Sequence, residues 1–263
     1  MHPILLATPW FNVYSYGFIL AISYSVCTAM TIYKAKQNGL DGGTIFDLMM
    51  MLLVVGIFGS RLLFVLEYVP QKLITKDFLC FEQGGLTFYG SIISGIIFTI
   101  IYSKITKISF WIFADSFGFS LGPATAIARI GCFLNGCCYG KACSPLIGFQ
   151  SRIAGTGYYH ATQLYESFLS FIAFLILIFF IRKKQSHYGQ LFLSYISLYA
   201  FFRFFIEFIR AENPVVLLGM TLSQVISIIL IVTSIIVWKF IRNNKDLEIK
   251  YNSNKIKNEE VVK

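Results

Sequence analysis

The sequence predicts an all-α fold, that of a polytopic integral membrane protein with about seven transmembrane helices. Hydrophobic residues make up 56% of the 263 residues, charged residues make up only 13%, and the mean hydropathy is +0.68. Soluble domains carry about 25% charged residues, so this composition excludes an ordinary soluble domain. The chain lacks the alternating apolar and polar pattern of barrel strands, and helices satisfy their own backbone hydrogen bonds in lipid.

Seven stretches are apolar and long enough, at about 18 residues, to cross a bilayer as helices. They span residues 10–33, 44–68, 86–103, 110–127, 165–181, 190–209 and 217–241. Ahead of the first stretch there is no basic segment and no small-residue cleavage site, so we expect no secretory signal peptide. The sequence therefore predicts one membrane domain over residues 1–241 and a charged tail over residues 242–263, which we expect to be disordered.

Basic residues follow the first, third and fifth predicted spans and recur in the tail, which together hold more than half of the 22 lysines and arginines. Because cytoplasmic loops are enriched in Lys and Arg, this pattern predicts an external N-terminus and a cytoplasmic C-terminus. The same placement explains the net charge of +9. A nucleic-acid-binding protein would need a basic stripe interleaved with aromatic residues, which this chain lacks, so we predict no nucleic-acid partner.

Polar residues and glycines are concentrated between Arg129 and Gly140, directly after the fourth predicted span. The stretch holds Asn135, Gly136 and three of the six cysteines. Polar and ionisable groups that have no function are avoided near a bilayer, so this concentration predicts a functional site. The alternative is a glycine-rich turn whose arginine extends to the lipid headgroups.

A second polar pattern lies on the sixth predicted span. Four side chains spaced by four, four and three residues fall on one helical face: Tyr199, Arg203, Glu207 and Arg210. Such a face on an apolar helix should point to the protein interior or to a wet cavity. The alternative is a structural ion pair in which Arg203 and Glu207 lock two helices together.

Arg129 and Arg203 both lie near the external ends of their predicted spans. Two guanidinium groups beside glycine-rich backbone are suited to binding a phosphate or a phosphodiester. In a bilayer the abundant phosphodiester is a phospholipid headgroup, so we predict an anionic-lipid site. An aromatic belt is the ordinary explanation for Tyr16, and close helix packing explains the glycines that open the third span; neither explains Tyr89.

Five motifs, in order along the chain, resemble those of the bacterial prolipoprotein diacylglyceryl transferase family. They are Gly84-Gly-Leu-Thr-Phe-x-Gly90, Arg129-Ile-Gly-x-Phe-Leu-Asn-Gly-x-x-x-Gly140, His160-x-x-Gln-Leu-Tyr-Glu166, Tyr199-x-x-x-Arg-Phe-x-x-Glu-Phe-x-Arg210 and Met220-Thr-x-x-Gln224. The similarity extends from Tyr16 to about residue 241. The resemblance implies seven transmembrane helices and an external N-terminus, in agreement with the topology inferred from the basic residues.

The resemblance also implies a reaction: the diacylglyceryl group of phosphatidylglycerol is transferred to the lipobox cysteine of a preprolipoprotein signal peptide at the bacterial cytoplasmic (inner) membrane. By the motif match, Arg129 and Arg203 bind the phosphate. Asn135 and Tyr16 position the headgroup, and Glu207 orients an arginine. The other residues expected to line the substrate site are Gly84, Gly85, Gly90, Gly136, Gly140, His160, Gln163, Tyr199 and Arg210. This chemistry demands no cofactor and no metal.

The chain departs from the family pattern at three positions. Tyr89 stands where well-known members have a histidine, and Cys132 and Cys137 stand where they have asparagine and glutamate. A tyrosine, with a pKa of about 10, is a poor general base unless a neighbouring arginine lowers that pKa, so Tyr89 is a catalytic candidate while the thiol's proton acceptor stays open. We favour an active, divergent subgroup over a paralogue that uses the same lipid pocket for another acceptor.

A different class of function would rest on four cysteines: Cys132, Cys137, Cys138 and Cys143. Their spacing matches neither a zinc ribbon nor a C-x-x-C redox pair, so it is a weak metal motif. They could instead form a disulfide on the external side or fill apolar space. A membrane thiol-redox or metal-handling protein is therefore the runner-up, and a transporter is disfavoured because the second half does not repeat the first.

Overall fold

The structure, a computed structural model, describes residues 3–8, 12–69, 85–151, 155–211, 215–217, 219–244, 247 and 249. Within these residues, seven helices are long and apolar enough to cross a membrane, which confirms the predicted all-α membrane fold. The orientation of the termini and the division into a membrane domain and a tail stay predictions. Gly84 and most of the tail lie outside the described residues.

Each predicted span corresponds to one helix. The helices are α1 (Ser15–Gln37), α2 (Gly42–Tyr68), α3 (Phe88–Thr106), α4 (Phe110–Asn135), α5 (Thr162–Ile176), α6 (Gln190–Ile206) and α7 (Leu222–Arg242). A π-helical turn, Leu177–Ile181, and a 3-10 turn, Arg182–Lys184, extend α5, and the 3-10 turn Glu207–Ile209 ends the sixth span. Two antiparallel strand pairs also occur: β1 (Ile4–Ala7) with β2 (Asn12–Tyr14), and β3 (Val215–Leu217) with β4 (Met220–Thr221).

The end of α4 differs from the prediction in a way that affects the site. The fourth span is predicted to end at residue 127, but the helix continues to Asn135 and includes Arg129. A charged side chain inside an apolar helix needs a partner. The ion pair that meets this need is described below.

The start of α7 also differs from the prediction. The seventh span is predicted to begin at residue 217, but the helix begins at Leu222 because β3 and β4 form a hairpin immediately before it. Thr221 Oγ1 accepts a hydrogen bond from the Gln224 N–H, and Gln224 Oε1 accepts one from the Thr221 N–H. This reciprocal capping box fixes the first residue of the helix.

The contacts divide the chain into two compact units, one of residues 28–116 and one of residues 1–27 with 117–263. In the smaller unit α2 packs against α3 through small residues. A Cβ on Gly90 would collide with the Gly59 carbonyl oxygen, so the two backbones touch. Thr87 donates to the Ser60 carbonyl oxygen from its N–H, at 3.2 Å, and from its Oγ1, at 3.0 Å. Close helix packing therefore explains Gly90.

Gly85 precedes this interface and has a φ of 87°, in the left-handed region that favours glycine. Its carbonyl oxygen accepts a hydrogen bond from Arg61 Nη1 at 3.1 Å, and a Cβ would come within 2.7 Å of the same nitrogen. Arg61 is 3% exposed. This glycine thus helps the buried arginine of α2 to find a backbone partner.

In the larger unit α5 and α6 pack around an apolar cluster: Ala173, Leu177, Leu191 and Tyr195. Helix α4 joins them by close contacts, since Gly118 lies against the backbone of Phe192. Ser167 Oγ on α5 donates to the Ala126 carbonyl oxygen at 2.7 Å. These contacts fix the positions at which the polar ends of α4, α5 and α6 meet.

Candidate functional site

The buried carboxylate of Glu166, about one turn into α5, joins three arginines. Its Oε2 lies 2.5 Å from Arg129 Nε, in an ion pair that lacks the alignment of a hydrogen bond. Its Oε1 accepts hydrogen bonds from Arg203 Nη1 at 2.9 Å and from Arg210 Nη1 at 3.0 Å. The Glu166 side chain is 2% exposed, so its charge would be costly without these partners.

A second buried carboxylate, Glu207, completes the contacts of Arg203. Its Oε2 lies 2.9 Å from Arg203 Nη2, and its Oε1 accepts a hydrogen bond from Thr221 Oγ1 at 2.8 Å. Arg203 Nη2 also donates to Ser223 Oγ on α7 at 3.3 Å. The Arg203–Glu207 pair is an i, i+4 contact within one helical segment, so it does not itself lock two helices. Glu166 and Thr221 supply the links to α5 and to the start of α7.

Five charged side chains form what we term the arginine network: Arg129, Arg203, Arg210, Glu166 and Glu207. Three positive and two negative charges give the network a net charge of +1. The side chains of the three arginines are only 21%, 14% and 9% exposed, in chain order. Charges are poorly screened in such surroundings, so the network favours binding of an anion with a single negative charge.

A small cavity of about 10 Å³ lies beside the arginine network, between α5 and α6. Its lining joins two network residues to apolar and hydroxyl-bearing side chains: Glu166, Leu169, Ser170, Tyr199, Phe202, Arg203 and Ile206. A cavity of this size has room for about one water molecule, and its lining is charged at one part and apolar elsewhere.

Two predicted tyrosines lie near Arg129. Tyr199, on α6, lies near enough to Arg129 to interact with its side chain, and its ring stacks on that of Tyr195 with a centroid separation of 6.2 Å. Tyr16, in the first turn of α1, is 39% exposed. A Cβ at Gly131 would lie 3.6 Å from Tyr16 Cδ2, so the tyrosine ring lies directly against α4. Both hydroxyl-bearing rings therefore border the arginine network.

Three cysteine sulfur atoms gather at the end of α4, all within 4.8 Å of one another; we term Cys132, Cys137 and Cys138 the thiol cluster. Cys137 Sγ donates to the Cys132 carbonyl oxygen at 3.7 Å. The turn that joins them uses positive φ angles at Gly136, 84°, and at Cys138, 64°, the second of which is uncommon for a residue other than glycine. Cys143, which the sequence groups with these residues, lies outside the cluster.

Two buried side chains at the start of α5 hold this turn in place. Gln163 Nε2 donates to the Cys137 carbonyl oxygen at 2.5 Å, and Thr162 Oγ1 donates to the Cys138 carbonyl oxygen at 2.7 Å. The Cys138 thiol lies near enough to the Arg210 side chain to interact with it electrostatically. Hydrogen bonds from its two thiol neighbours lower the pKa of the Cys138 thiol, and the positive charge of Arg210 lowers it further while burial opposes the change. The thiol cluster is thus in contact with the arginine network.

The backbone around Gly140 ties the same turn to α5 and α6. The Gly140 N–H donates to the His160 carbonyl oxygen at 2.9 Å, and the Lys141 N–H donates to the Ile209 carbonyl oxygen at 2.7 Å. A Cβ at Gly140 would lie 2.8 Å from both His160 Cβ and the Ile209 carbonyl oxygen, so a side chain has no room. His160 Nδ1 lies 3.4 Å from the Tyr165 hydroxyl. Glycine at position 140 therefore lets this backbone lie close to the backbone at the end of the sixth span.

Most predicted site residues lie in the larger unit: Tyr16, Arg129, Asn135, Gly136, Gly140, His160, Gln163, Tyr199, Arg203, Glu207 and Arg210. Asn135, the last residue of α4, lies beside the Cys137 side chain. Tyr89, Gly85 and Gly90 belong to the smaller unit, and Gly84 lies outside the described residues. The functional roles of these residues stay predictions.

Glu166 is absent from the predicted site residues although it makes more ion pairs than any predicted residue of the network. A signal for it existed in the sequence, because Glu166 is a carboxylate at the start of an apolar span and such a group needs a cationic partner. Arg129, Arg203 and Arg210 were predicted together with Glu207 alone. That excess of positive charge was a further reason to look for a second carboxylate.

Comparison with known proteins gives one consistent family. A family model described as prolipoprotein diacylglyceryl transferase matches residues 3–240. A protein of Listeria monocytogenes serotype 4a is 32% identical over 258 residues, which cover 93% of this chain and 92% of the relative. A protein of Clostridioides difficile is 33% identical over 236 residues, covering 88% and 92%, and one of Clostridium tetani is 28% identical over 249 residues, covering 93% and 100%.

All three relatives are named phosphatidylglycerol–prolipoprotein diacylglyceryl transferase. The names favour the transferase interpretation over a thiol-redox or metal-handling protein. The matched region includes all seven helices except the end of α7.

Proposed function

Because the chain belongs to the prolipoprotein diacylglyceryl transferase family, we propose that it transfers the diacylglyceryl group of phosphatidylglycerol to the lipobox cysteine of preprolipoproteins. A thioether forms and glycerol phosphate leaves. The protein works in the bacterial cytoplasmic (inner) membrane, with its N-terminus external. The acceptor is a signal peptide whose cysteine reaches the lipid headgroup at the membrane surface.

The observation that carries this proposal is the net charge of +1 on the arginine network, which lies at the ends of long apolar helices. The phosphodiester of phosphatidylglycerol carries a single negative charge, so the bound lipid would leave the site neutral. Its acyl chains would continue along apolar side chains into the bilayer. Guanidinium groups offer several N–H donors in a plane, which suits phosphate oxygens better than a lysine ammonium does.

In the reaction the acceptor sulfur forms a bond to the terminal glyceryl carbon while the bond from that carbon to the phosphate oxygen breaks. The electron pair of the broken bond leaves with the phosphate oxygen. Negative charge therefore grows on the phosphate, and donors already fixed in place lower the barrier because they need no reorganisation. Glu166 and Glu207 supply that fixation by holding Arg203 from two sides.

Arg129 has a separate part in this scheme. Its ion pair with Glu166 uses Nε, so its two Nη groups have donors for Tyr199 and for a phosphate oxygen. Tyr16 and Asn135 position the headgroup, and Tyr89 is the protein group that we retain as a candidate acceptor for the thiol's proton. The remaining predicted residues shape the substrate site: Gly84, Gly85, Gly90, Gly136, Gly140, His160, Gln163 and Arg210.

The test is complementation of a bacterium depleted of its own transferase, with the mass of a reporter lipoprotein's N-terminal cysteine as the readout. We expect a diacylglyceryl mass increment from the wild type and its loss from Arg203→Ala. Arg242→Ala is the matched control, because Arg242 is an exposed arginine at the end of α7 and should leave the increment unchanged. A membrane-inserted wild type that gives no increment would overturn the proposal in favour of another acceptor.

A further inference from the structure

The proposed reaction gives the thiol cluster no role, yet its geometry is close to that of a metal site. Sulfur ligands about 2.3 Å from a tetrahedral zinc ion lie about 3.8 Å from one another. The sulfur atoms of Cys132, Cys137 and Cys138 lie within 4.8 Å of one another, so they need to approach by about 1 Å at most. The cysteine spacing is only a weak metal motif, and it is the turn after α4 that brings the three sulfurs together.

The residues around the thiol cluster hold it in a fixed geometry, as expected of a binding site. Cys138 adopts a φ of 64°, a conformation that a residue other than glycine keeps only where its surroundings impose it. Those surroundings are the buried side chains of Thr162 and Gln163, which hold the carbonyl groups of Cys138 and Cys137. Hydrogen-bonded support of this kind orients metal ligands in proteins.

The electrostatic surroundings also suit a metal–thiolate centre. One Zn²⁺ with three thiolates carries a charge of −1, which is costly to bury without a positive partner. The positive charges of Arg210 and Arg129 both act electrostatically on the Cys138 sulfur. These arginines place positive charge next to the centre, and the net charge of +1 on the arginine network balances either the centre or a bound phosphodiester, not both at once.

We propose that the thiol cluster binds Zn²⁺, and that the fourth coordination position of the ion receives the thiol of the acceptor cysteine. Three protein ligands with one open position are the pattern of reactive rather than structural zinc sites. The inference rests on the proposed function for the identity of the acceptor. It supplies the thiolate that the reaction needs, because a thiol that coordinates zinc is deprotonated.

The steps balance without a further reactant. The acceptor thiol binds the ion and its proton passes to solvent, so a metal-bound acceptor does not need Tyr89 to take its proton. A sulfur electron pair then forms the bond to the glyceryl carbon, and the electron pair of the broken carbon–oxygen bond leaves with the phosphate oxygen. The zinc ion stays in its +2 state throughout, and the weakly bound thioether leaves the fourth position open for the next acceptor.

The first experiment measures binding in the reduced, detergent-purified full chain by competition for Zn²⁺ with a chromophoric chelator. We expect about one equivalent per chain, abolished when Cys132, Cys137 and Cys138 are all changed to Ser and weakened at least about tenfold by each single change. Cys143→Ser is the matched control and should bind as the wild type does. Equal affinity in the triple variant, or no Zn²⁺ bound by the wild type, would overturn the site.

A second measurement needs no variant, so it decides the matter even if the triple variant does not fold. Zn²⁺ should slow alkylation of the partly exposed Cys137 and Cys138 in the wild type, with alkylation of Cys143 in the same molecule as the internal reference. Alkylation is read by mass spectrometry of peptides. Equal protection of all three cysteines, or protection of none, would contradict a site at the thiol cluster.

The role of the fourth position is tested with Co²⁺ in place of Zn²⁺ and a synthetic lipobox peptide. We expect the peptide to change the visible absorption of the bound Co²⁺, and a peptide with Ser in place of its cysteine to leave it unchanged. No change with the cysteine peptide would refute coordination of the acceptor. A spectral change in a protein that never lipidates the reporter would sustain the inference while the transferase proposal fails, so the two failures are distinguishable.

Discussion

Helices α5 and α6 meet at their ends through buried charges, whereas α2 and α3 meet through glycine, serine and threonine. Glu166 binds Arg203 and Arg210 at 2.9 and 3.0 Å across the first pair. In the second pair Gly59 and Gly90 let two backbones touch. Both contacts join helices in the same protein, but they depend on opposite properties of side chains: one requires specific charged groups, and the other requires that side chains be absent.

This difference shows which of the two contacts is suited to binding a ligand. A packed glycine interface gains its stability from close contact and leaves no charge to use. The arginine network gains little stability from its charges, because their desolvation opposes their attraction. Its five side chains are therefore better explained as a binding site that the fold supports than as a structural lock.

The largest effect is expected from Glu166→Gln, which keeps the shape of the side chain and removes the charge that joins three arginines. Removing one partner of a buried ion pair costs about 3–5 kcal/mol, so we expect a marked fall in thermal stability together with loss of reporter lipidation. Glu67→Gln, a change at an exposed position of α2, is the control. Wild-type stability and activity of Glu166→Gln would show that the arginines are held by other means.

A smaller effect is expected from lysine substitutions at two arginines of the network, whose contacts differ in geometry. Arg203 contacts Glu166 through Nη1 and Glu207 through Nη2, whereas the close contact of Arg210 uses Nη1 alone. A lysine ammonium is a single point of charge without the planar fork, so it replaces one such contact better than it replaces two contacts made by separate nitrogens. We expect Arg203→Lys to lower the lipidation rate about 100-fold and Arg210→Lys to lower it about tenfold or less. The reverse order would mean that charge, and not the two-sided hold, is what matters at Arg203.

The contact between α2 and α3 offers a test in which no charge is changed. A Cβ at Gly90 would collide with the backbone of Gly59, while a Cβ at Gly95 would lie 3.8 Å from Leu52 Cδ2, an ordinary contact. We expect Gly90→Ala to destabilise the protein by about 1–3 kcal/mol and Gly95→Ala to have little effect. Thermal unfolding of the two variants in the same detergent makes the comparison. Equal behaviour would mean that α2 and α3 can separate freely.

Much of the fold could be predicted from the sequence because apolar length alone identifies a membrane helix. The seven spans correspond to the seven helices, but several boundaries were wrong. The first helix starts at Ser15, not at residue 10, because strand β2 occupies residues 12–14, and two other boundaries are set by polar contacts. Helix α4 continues to Asn135 because Glu166 pairs with Arg129, and the seventh helix starts late because Thr221 caps it. Neither contact can be inferred from apolar length.

The candidate site was predictable in composition but not in arrangement. The stripe from Tyr199 to Arg210 follows from helical periodicity, so its members were found. Glu166 was missed because its partners lie 37 and more residues away along the chain, on other helices. The three-thiol arrangement was missed for a related reason. A positive φ at Cys138 is a property of the folded turn, and cysteine spacing does not reveal it.

The smallest effect concerns an exposed charge outside the site. Asp41 caps α2, and its Oδ2 accepts a hydrogen bond from the Thr44 N–H at 2.8 Å. That hydrogen bond holds the pKa of the Asp41 carboxyl below its ordinary value of 3.8. Because the folded pKa is the lower one, the cap's charge-dependent stabilisation is present above pH 3.8 and is lost as the pH falls through the folded pKa.

Asp41→Asn tests this direction of the pH dependence of stability, since asparagine is also a good N-cap but does not titrate. We expect the wild type to unfold at a slightly higher temperature at pH 7 and the difference to vanish in acid. Thr106→Ala, at the end of α3 in the same unit, is a control that should shift stability equally at both pH values. A difference between wild type and Asp41→Asn that grew in acid would contradict the capping role. Because Asp41 is exposed and Glu166 is buried, the contrast between their variants measures how much burial strengthens a charge in this protein.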